Sequence, residues 1–292
     1  MFAGTHTAIV TPFRNDSIDA ESLKKLIDAQ FDAGVTGVVP CGTTGESPTL
    51  DYDEHELVIK LTVEYAAGRG VVMAGTGSNS TREAIELTQE AEAVGATAAL
   101  LVAPYYNKPT QEGLYQHFKA IANETALPIM LYSIPGRCGI EIGLETLERL
   151  VADCPNIRAI KEAGGNPERV SQMKLLLPDS FEILSGDDSL TLPFMSVGAV
   201  GVVSVASNLI PGPLAEMVKL ALAGDFVGAA AIHHRYYPLF AAFLKLSTNP
   251  IPIKTALGLA GQIVPELRLP LTAMEADKTA ELRATMERLG LV

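Results

Sequence analysis

Cysteine and histidine are scarce in this chain, and surplus positive charge is missing altogether. Cys41, Cys138 and Cys154 are scattered without C-x-x-C spacing, so they supply neither a disulfide framework nor a zinc site. Such usage suits a reducing cytosol, and a cytoplasmic protein is expected. The five histidines, His6, His55, His117, His233 and His234, form no H-E-x-x-H or similar ligand pair, so no metal is implied. Lys and Arg number 22 against 34 Asp and Glu, a net charge of −12 that argues against nucleic acid or an anionic membrane as partner. An anionic substrate must then be drawn in by a local cation rather than by the field of the whole molecule.

Long hydrophobic runs are lacking as well. Residues 1–6 show no cationic region leading into an apolar core, so no signal peptide is read there. Residues 189–215 carry no formal charge, but Pro193, Pro211 and Pro213 with Gly198, Gly201 and Gly212 break them into helix, strand and turn. A buried barrel strand with flanking helix fits that segment better than a membrane span.

Apolar residues make up 48% of the 292, ample for a large core, and they are arranged as strands alternating with helices. Apolar runs place strands at 6–12, 35–40, 71–74, 98–103, 128–132, 157–161, 181–184 and 200–205. Helical spacing places helices at 19–33, 53–67, 81–94 (capped by Thr81), 111–125, 144–152, 167–177 and 190–197. Near-continuous apolar strands in this alternation predict an α/β fold, a closed parallel (β/α)8 TIM barrel. An open doubly wound sheet is the alternative, but no G-x-G-x-x-G follows the first strand. Gly75-Thr76-Gly77-Ser78-Asn79-Ser80 lacks the third glycine and reads as a tight turn. Helices at 214–223, 226–246, 254–260 and 279–289 exceed what closure needs. The chain is therefore divided into a catalytic barrel, 1–224, and a C-terminal helical extension, 225–292.

Chemistry in such a barrel sits at the C-terminal ends of the strands. The sixth strand ends in Ile160-Lys161-Glu162-Ala163. Desolvation disfavours a buried ammonium, leaving a neutral amine nucleophile; the alternative is a solvated cap on the strand end. Gly42-Thr43-Thr44-Gly45-Glu46 offers backbone amides and two hydroxyls to a carboxylate, or else is a capped turn. Tyr105 and Tyr106 follow strand four, as packing or interface residues when taken alone. Tyr132 offers a phenol for proton transfer and Arg137 a fork for a carboxylate. Converging on one mouth, these groups suit imine formation: an amine attacks a ketone, hydroxyls relay protons, and the iminium acidifies the neighbouring carbon to give an enamine that adds to an aldehyde. The lysine is its own electron sink, so no cofactor is required.

Gly42-Thr43-Thr44-Gly45-Glu46, Tyr132-x-x-Pro135-x-Arg137, Ile160-Lys161-Glu162-Ala163, Ser185-Gly186-Asp187-Asp188 and Asn249-Pro250-Ile251-Pro252-Ile253-Lys254 together resemble the dihydrodipicolinate synthase family, pyruvate-dependent Schiff-base enzymes of lysine biosynthesis by the diaminopimelate route. The motifs fall in family order over essentially the whole chain. The resemblance implies a homotetrameric barrel, a dimer of dimers, acting on pyruvate and L-aspartate 4-semialdehyde. It assigns Lys161 the Schiff base, Tyr132 the proton transfer, and Thr43 the link from Tyr132 to a Tyr106 reaching in from a neighbouring subunit. Thr44 would bind the pyruvate carboxylate, Arg137 that of the aldehyde substrate, and Gly186 and Val203 would line the site. An L-lysine regulatory site is implied at Ser47, His55, Asn79, Glu83 and Tyr105.

The chain departs from the family pattern at Ser133, Gly136 and Cys138, which bear on positioning of the second substrate. Tyr52 stands where a lysine-sensitive pattern has histidine, and Pro48 replaces a small residue. Two rival readings are an N-acetylneuraminate lyase or keto-deoxy sugar acid aldolase, and a non-catalytic barrel scaffold. Arg137 weighs against the first, because a sugar acid needs hydroxyl-binding groups there. Retention of every relay group beside the lysine weighs against the second.

Overall fold

In the computed structural model, which describes Met1–Val292, eight parallel strands close into a barrel. They are β1 (Gly4–Ala8), β2 (Gly37–Val39), β3 (Val71–Gly75), β4 (Ala98–Val102), β5 (Ile129–Ser133), β6 (Ile157–Glu162), β7 (Glu182–Ser185) and β8 (Gly201–Ser204). They follow one another around the barrel in chain order, and β1 completes the ring by pairing with both β2 and β8.

The first strand lies earlier than the apolar run suggests. Gly4 and Thr5 pair with Gly201 and Val202 despite carrying no apolar signature. At the other end the ladder stops because the Val10 amide donates to Asn208 Oδ1 at 3.1 Å rather than to a strand. At the seam the two backbones touch: a Cβ on Gly201 would stand 1.9 Å from the Gly4 carbonyl oxygen. Only glycine allows that approach. The Glu182 carboxylate holds the incoming segment, accepting from the amides of Phe2 at 2.9 Å and Ala3 at 2.8 Å and pairing with the Met1 ammonium at 3.2 Å.

Helices α1 (Ala20–Asp32), α2 (Tyr52–Ala66), α3 (Thr81–Ala93), α4 (Gln111–Asn123), α5 (Leu144–Asp153), α6 (Pro167–Leu176), α7 (Thr191–Met195) and α8 (Pro211–Leu222) form the outer ring. Asp19, Asp51, Thr110 and Asn166 cap their first turns through side-chain oxygens, satisfying amides that have no partner within the helix. Thr81 is not the cap of α3. A cap must lie outside the helix in extended backbone, and Ser80 holds that position, accepting from the Glu83 amide. The Thr81 hydroxyl instead bonds His117 Nδ1 at 2.9 Å. A short antiparallel ribbon, Phe13–Arg14 with Ser17–Ile18, follows β1 and was not anticipated.

Two apolar layers result from the two faces of each strand. Ala8, Val39, Met73, Leu100, Met130, Ala159, Leu184 and Val203 fill the barrel interior. A larger cluster joins the outer strand faces to the helices. The C-terminal helices α9 (Phe226–Lys245), α10 (Ile251–Leu259) and α11 (Ala276–Leu289) enter that same outer cluster through Leu239, Phe240, Ile253, Leu282 and Met286. No helix is long and apolar enough to cross a membrane.

Candidate active site

Period-two alternation aims the reactive groups. On β6, Ala159 faces the interior and Ile160 the outer layer, so Lys161 points inward and Glu162 outward. On β5, Met130 and Tyr132 face in and Leu131 out. The register sets Tyr132 beside Lys161 on adjacent strands, and the ammonium nitrogen lies 4.1 Å from the centre of the tyrosine ring. The outward Glu162 fixes the strand end: Arg169 Nε donates to it at 2.9 Å and the Gly164 amide at 2.7 Å.

Lys161 is 6% exposed. Burial lowers its pKa to about 7, Asp188 pulling it back up and Arg137 pushing it further down. Near neutral pH much of this side chain is thus an uncharged amine carrying a free lone pair, as imine chemistry requires. Burial drives the Tyr132 phenol well above its ordinary range, with Arg137 and the neighbouring Thr43 opposing the rise. A phenol held protonated in this way is able to donate.

A cavity of about 590 Å³ opens above Lys161, lined by Thr43, Thr44, Tyr132, Ile134 and Arg137. Thr44 is buried and its hydroxyl accepts from Asn249 Nδ2 at 3.0 Å. Arg137 Nη2 donates to the Asn249 carbonyl at 3.1 Å and Thr248 Oγ1 at 3.4 Å. Gly186 does not line the cavity but backs the lysine; a Cβ there would meet Lys161 Cε at 3.1 Å and Ala163 Cβ at 2.7 Å. Val203 is fully buried in the interior layer, beside rather than within the cavity wall. Tyr106 is 90% exposed, with left-handed backbone, and stands outside its own chain's cavity.

The outer end of the cavity is lined by Ser47, His55, Glu83 and Tyr105. Tyr52 donates to Glu83 Oε1 at 2.8 Å and the Ser78 hydroxyl donates to Oε2. Asn79 is not part of that lining, because its amide donates to the Tyr105 carbonyl at 3.1 Å. No cluster of three or more His, Cys, Asp or Glu side chains is placed to hold a metal ion.

Four residues that the family motifs contain, but to which the resemblance assigns no role, are structural partners of the site. Asp188 is buried, makes no contact ion pair, and accepts from the Ser204 hydroxyl and from the Val205 and Ala206 amides. Its pKa is pushed up to about 6 by burial. Glu46 and Lys254 form a buried pair at 2.5 Å, and Lys254 also donates to the Thr11 carbonyl at 2.9 Å. Asn249 touches Thr44 and Arg137 together.

A parallel barrel with a dry, partly neutral lysine at the C-terminal end of its sixth strand, beside a phenol, defines a lyase of the Schiff-base aldolase class. Comparison narrows the class. A model of the dihydrodipicolinate synthetase family matches residues 1–289. A 4-hydroxy-tetrahydrodipicolinate synthase of Persephonella marina is 52% identical over 293 residues, covering 100% of both chains. The solved structure of 4-hydroxy-tetrahydrodipicolinate synthase from the thermoacidophilic methanotroph Methylacidiphilum fumariolicum SolV superposes with a TM-score of 0.98 at 52% identity, over 99% of this chain and 96% of that one. The enzyme of Cyanidioschyzon merolae, solved with lysine bound, gives 0.96 at 42% identity over 100% and 99%. The chain belongs to the dihydrodipicolinate synthetase family.

Proposed function

We propose that this chain condenses pyruvate with L-aspartate 4-semialdehyde, the reaction of 4-hydroxy-tetrahydrodipicolinate synthase, with Lys161 as the covalent amine. The observation that carries the assignment is the Lys161 nitrogen, buried 4.1 Å from the Tyr132 ring centre at the floor of a cavity whose walls hold Thr44 and Arg137. The amine adds to the keto carbon, and the carbinolamine loses water to form an iminium. Loss of a methyl proton gives an enamine. Its carbon bonds the aldehyde carbon, and the aldehyde oxygen takes up a proton. The substrate's own amino group then displaces Lys161, closing the ring and releasing the enzyme amine.

Tyr132 moves the protons, linked through Thr43 to Tyr106 of a neighbouring subunit. Thr44 holds the keto-acid carboxylate and Arg137 the second one; Gly186 and Val203 shape the space around the lysine. A Tyr106 that is 90% exposed in its own chain fits donation across an interface, and we assign a homotetramer, a dimer of dimers, in the cytoplasm. Residues 1–224 form the catalytic barrel and 225–292 the helical domain. L-lysine is assigned to the outer cavity at Glu83, Ser47, His55 and Tyr105, with Asn79 behind them; its inhibition should disappear in Glu83→Gln.

The test is chemical. Pyruvate and borohydride should leave a mass increase on the peptide carrying Lys161, and added L-aspartate 4-semialdehyde should be consumed in a coupled assay. An unmodified peptide overturns the assignment of Lys161. An adduct without condensation, but with cleavage of a sialic or sugar acid, overturns the choice of second substrate.

A further inference from the structure

Both groups assigned to substrate carboxylates lean on one residue outside the barrel. Asn249 lies in the connection between α9 and α10, 205 positions from Thr44 in the chain. Its side-chain amide donates to the Thr44 hydroxyl at 3.0 Å, and its main-chain carbonyl accepts from Arg137 Nη2 at 3.1 Å. The neighbouring Thr248 hydroxyl adds a longer contact to Arg137, 3.4 Å. The Asn249 Oδ1 atom is buried without a partner, so the bond to Thr44 is the only side-chain hydrogen bond orienting the amide.

The same connection is anchored a few residues on. Lys254, at the start of α10, is fully buried against Glu46 and the Thr11 carbonyl, and the Arg268 amide donates to the other Glu46 oxygen at 3.2 Å. Gly42–Glu46, the loop that carries Thr43 and Thr44, is therefore gripped at two points from the C-terminal helices. A loop held only by its own turn would let Thr44 wander, and misplacement of a binding group by about 1 Å can cost roughly a hundredfold in rate.

We propose that Asn249 is a positioning residue that sets the spacing of the two carboxylate sites, coupling the keto-acid pocket at Thr44 to the aldehyde-substrate pocket at Arg137. The inference rests on the functional reading given above. Asn249 touches neither reacting atom; its side chain acts on Thr44 and its main-chain carbonyl on Arg137. Removing the side chain must therefore show first in the constant for pyruvate and then, through the untethered carbonyl, more weakly in that for the aldehyde substrate, while leaving Lys161 able to form its adduct at saturating pyruvate.

The experiment is a steady-state comparison of the unmodified enzyme with Asn249→Ala, Asn249→Asp and Thr248→Ala, run beside borohydride trapping at saturating pyruvate. In Asn249→Ala the KM for pyruvate should rise about 5- to 10-fold, the scale of one lost hydrogen bond to a binding group. The KM for L-aspartate 4-semialdehyde should rise by less, because the main-chain carbonyl that accepts from Arg137 survives and loses only its tether to Thr44. Asn249→Asp keeps the shape and secures the test should the alanine variant fold poorly. It places an anion beside the Thr44 pocket, and the constant for pyruvate should rise at least as far. Thr248→Ala should move only the constant for the aldehyde substrate. Trapping on Lys161 should stay complete in all three. Asparagine variants in which only one constant moves, or in which melting temperature falls while both constants hold, overturn the proposal. If the unmodified enzyme itself is not trapped by pyruvate, the reading of the site fails instead, an outcome distinct from normal trapping with unmoved constants.

Discussion

Folding carries Lys161 from water into the barrel and lowers its pKa from 10.5 to about 7. Between those values the unfolded chain binds a proton that the folded chain does not, so stability rises with pH across this window and the burial cost is complete below about pH 7. Lys161→Met should thus stabilise the fold most near pH 6. The gain should shrink by about 1.4 kcal/mol per pH unit above pH 7 and vanish above the unfolded value. Urea melts at about pH 6, 8 and 10 read this directly; an equal gain at all three would mean the lysine keeps its charge when buried. Catalysis should show the same group, with kcat/KM for pyruvate rising as the amine deprotonates near pH 7. Asp188 is the anion that holds this pKa up, so Asp188→Asn should shift the midpoint to lower pH. A midpoint unmoved by that change would separate Asp188 from the lysine.

At the level of elements, the buried pair between Glu46 and Lys254 fastens α10 to the loop after β2. Lys254→Ala leaves a carboxylate buried without its partner and should cost about 3–5 kcal/mol, whereas Glu46→Leu with Lys254→Met should cost much less. Denaturant titration of the two variants checks it, and equal losses would show that packing, not charge, fastens the helix. This contact also marks where the sequence stops being readable. Strand and helix order followed from apolar runs, because each barrel strand is buried on both faces and each helix on one. Lys161, Tyr132 and Arg137 were legible because strand ends in such a barrel are where side chains meet. The cap of α3 was misplaced by one residue, since Ser80 and Thr81 are both good caps by type and only the backbone angle separates them. Nothing local marks Asn249 or Lys254 as partners of Thr44 and Glu46; those pairs span more than 200 residues of chain. Tyr106 reads as a surface residue in one chain alone, and its assigned role needs a second.

At the scale of the whole molecule, a site that borrows Tyr106 should exist only in the assembly. Dilution or interface substitutions that yield monomers should abolish turnover while circular dichroism still reports a folded barrel; fully active monomers would refute the shared relay. Mixing an inactive Tyr106→Phe chain with an inactive Lys161→Ala chain should restore part of the activity, each supplying what the other lacks. The seam between β1 and β8 bears on how the molecule is made. Gly4 finds its partner Gly201 only after nearly two hundred intervening residues have been synthesised. Until then a growing chain has two raw sheet edges, each a template for a foreign strand. During translation the ring stays open, and the first strand to leave the ribosome waits for the last before either edge is sealed.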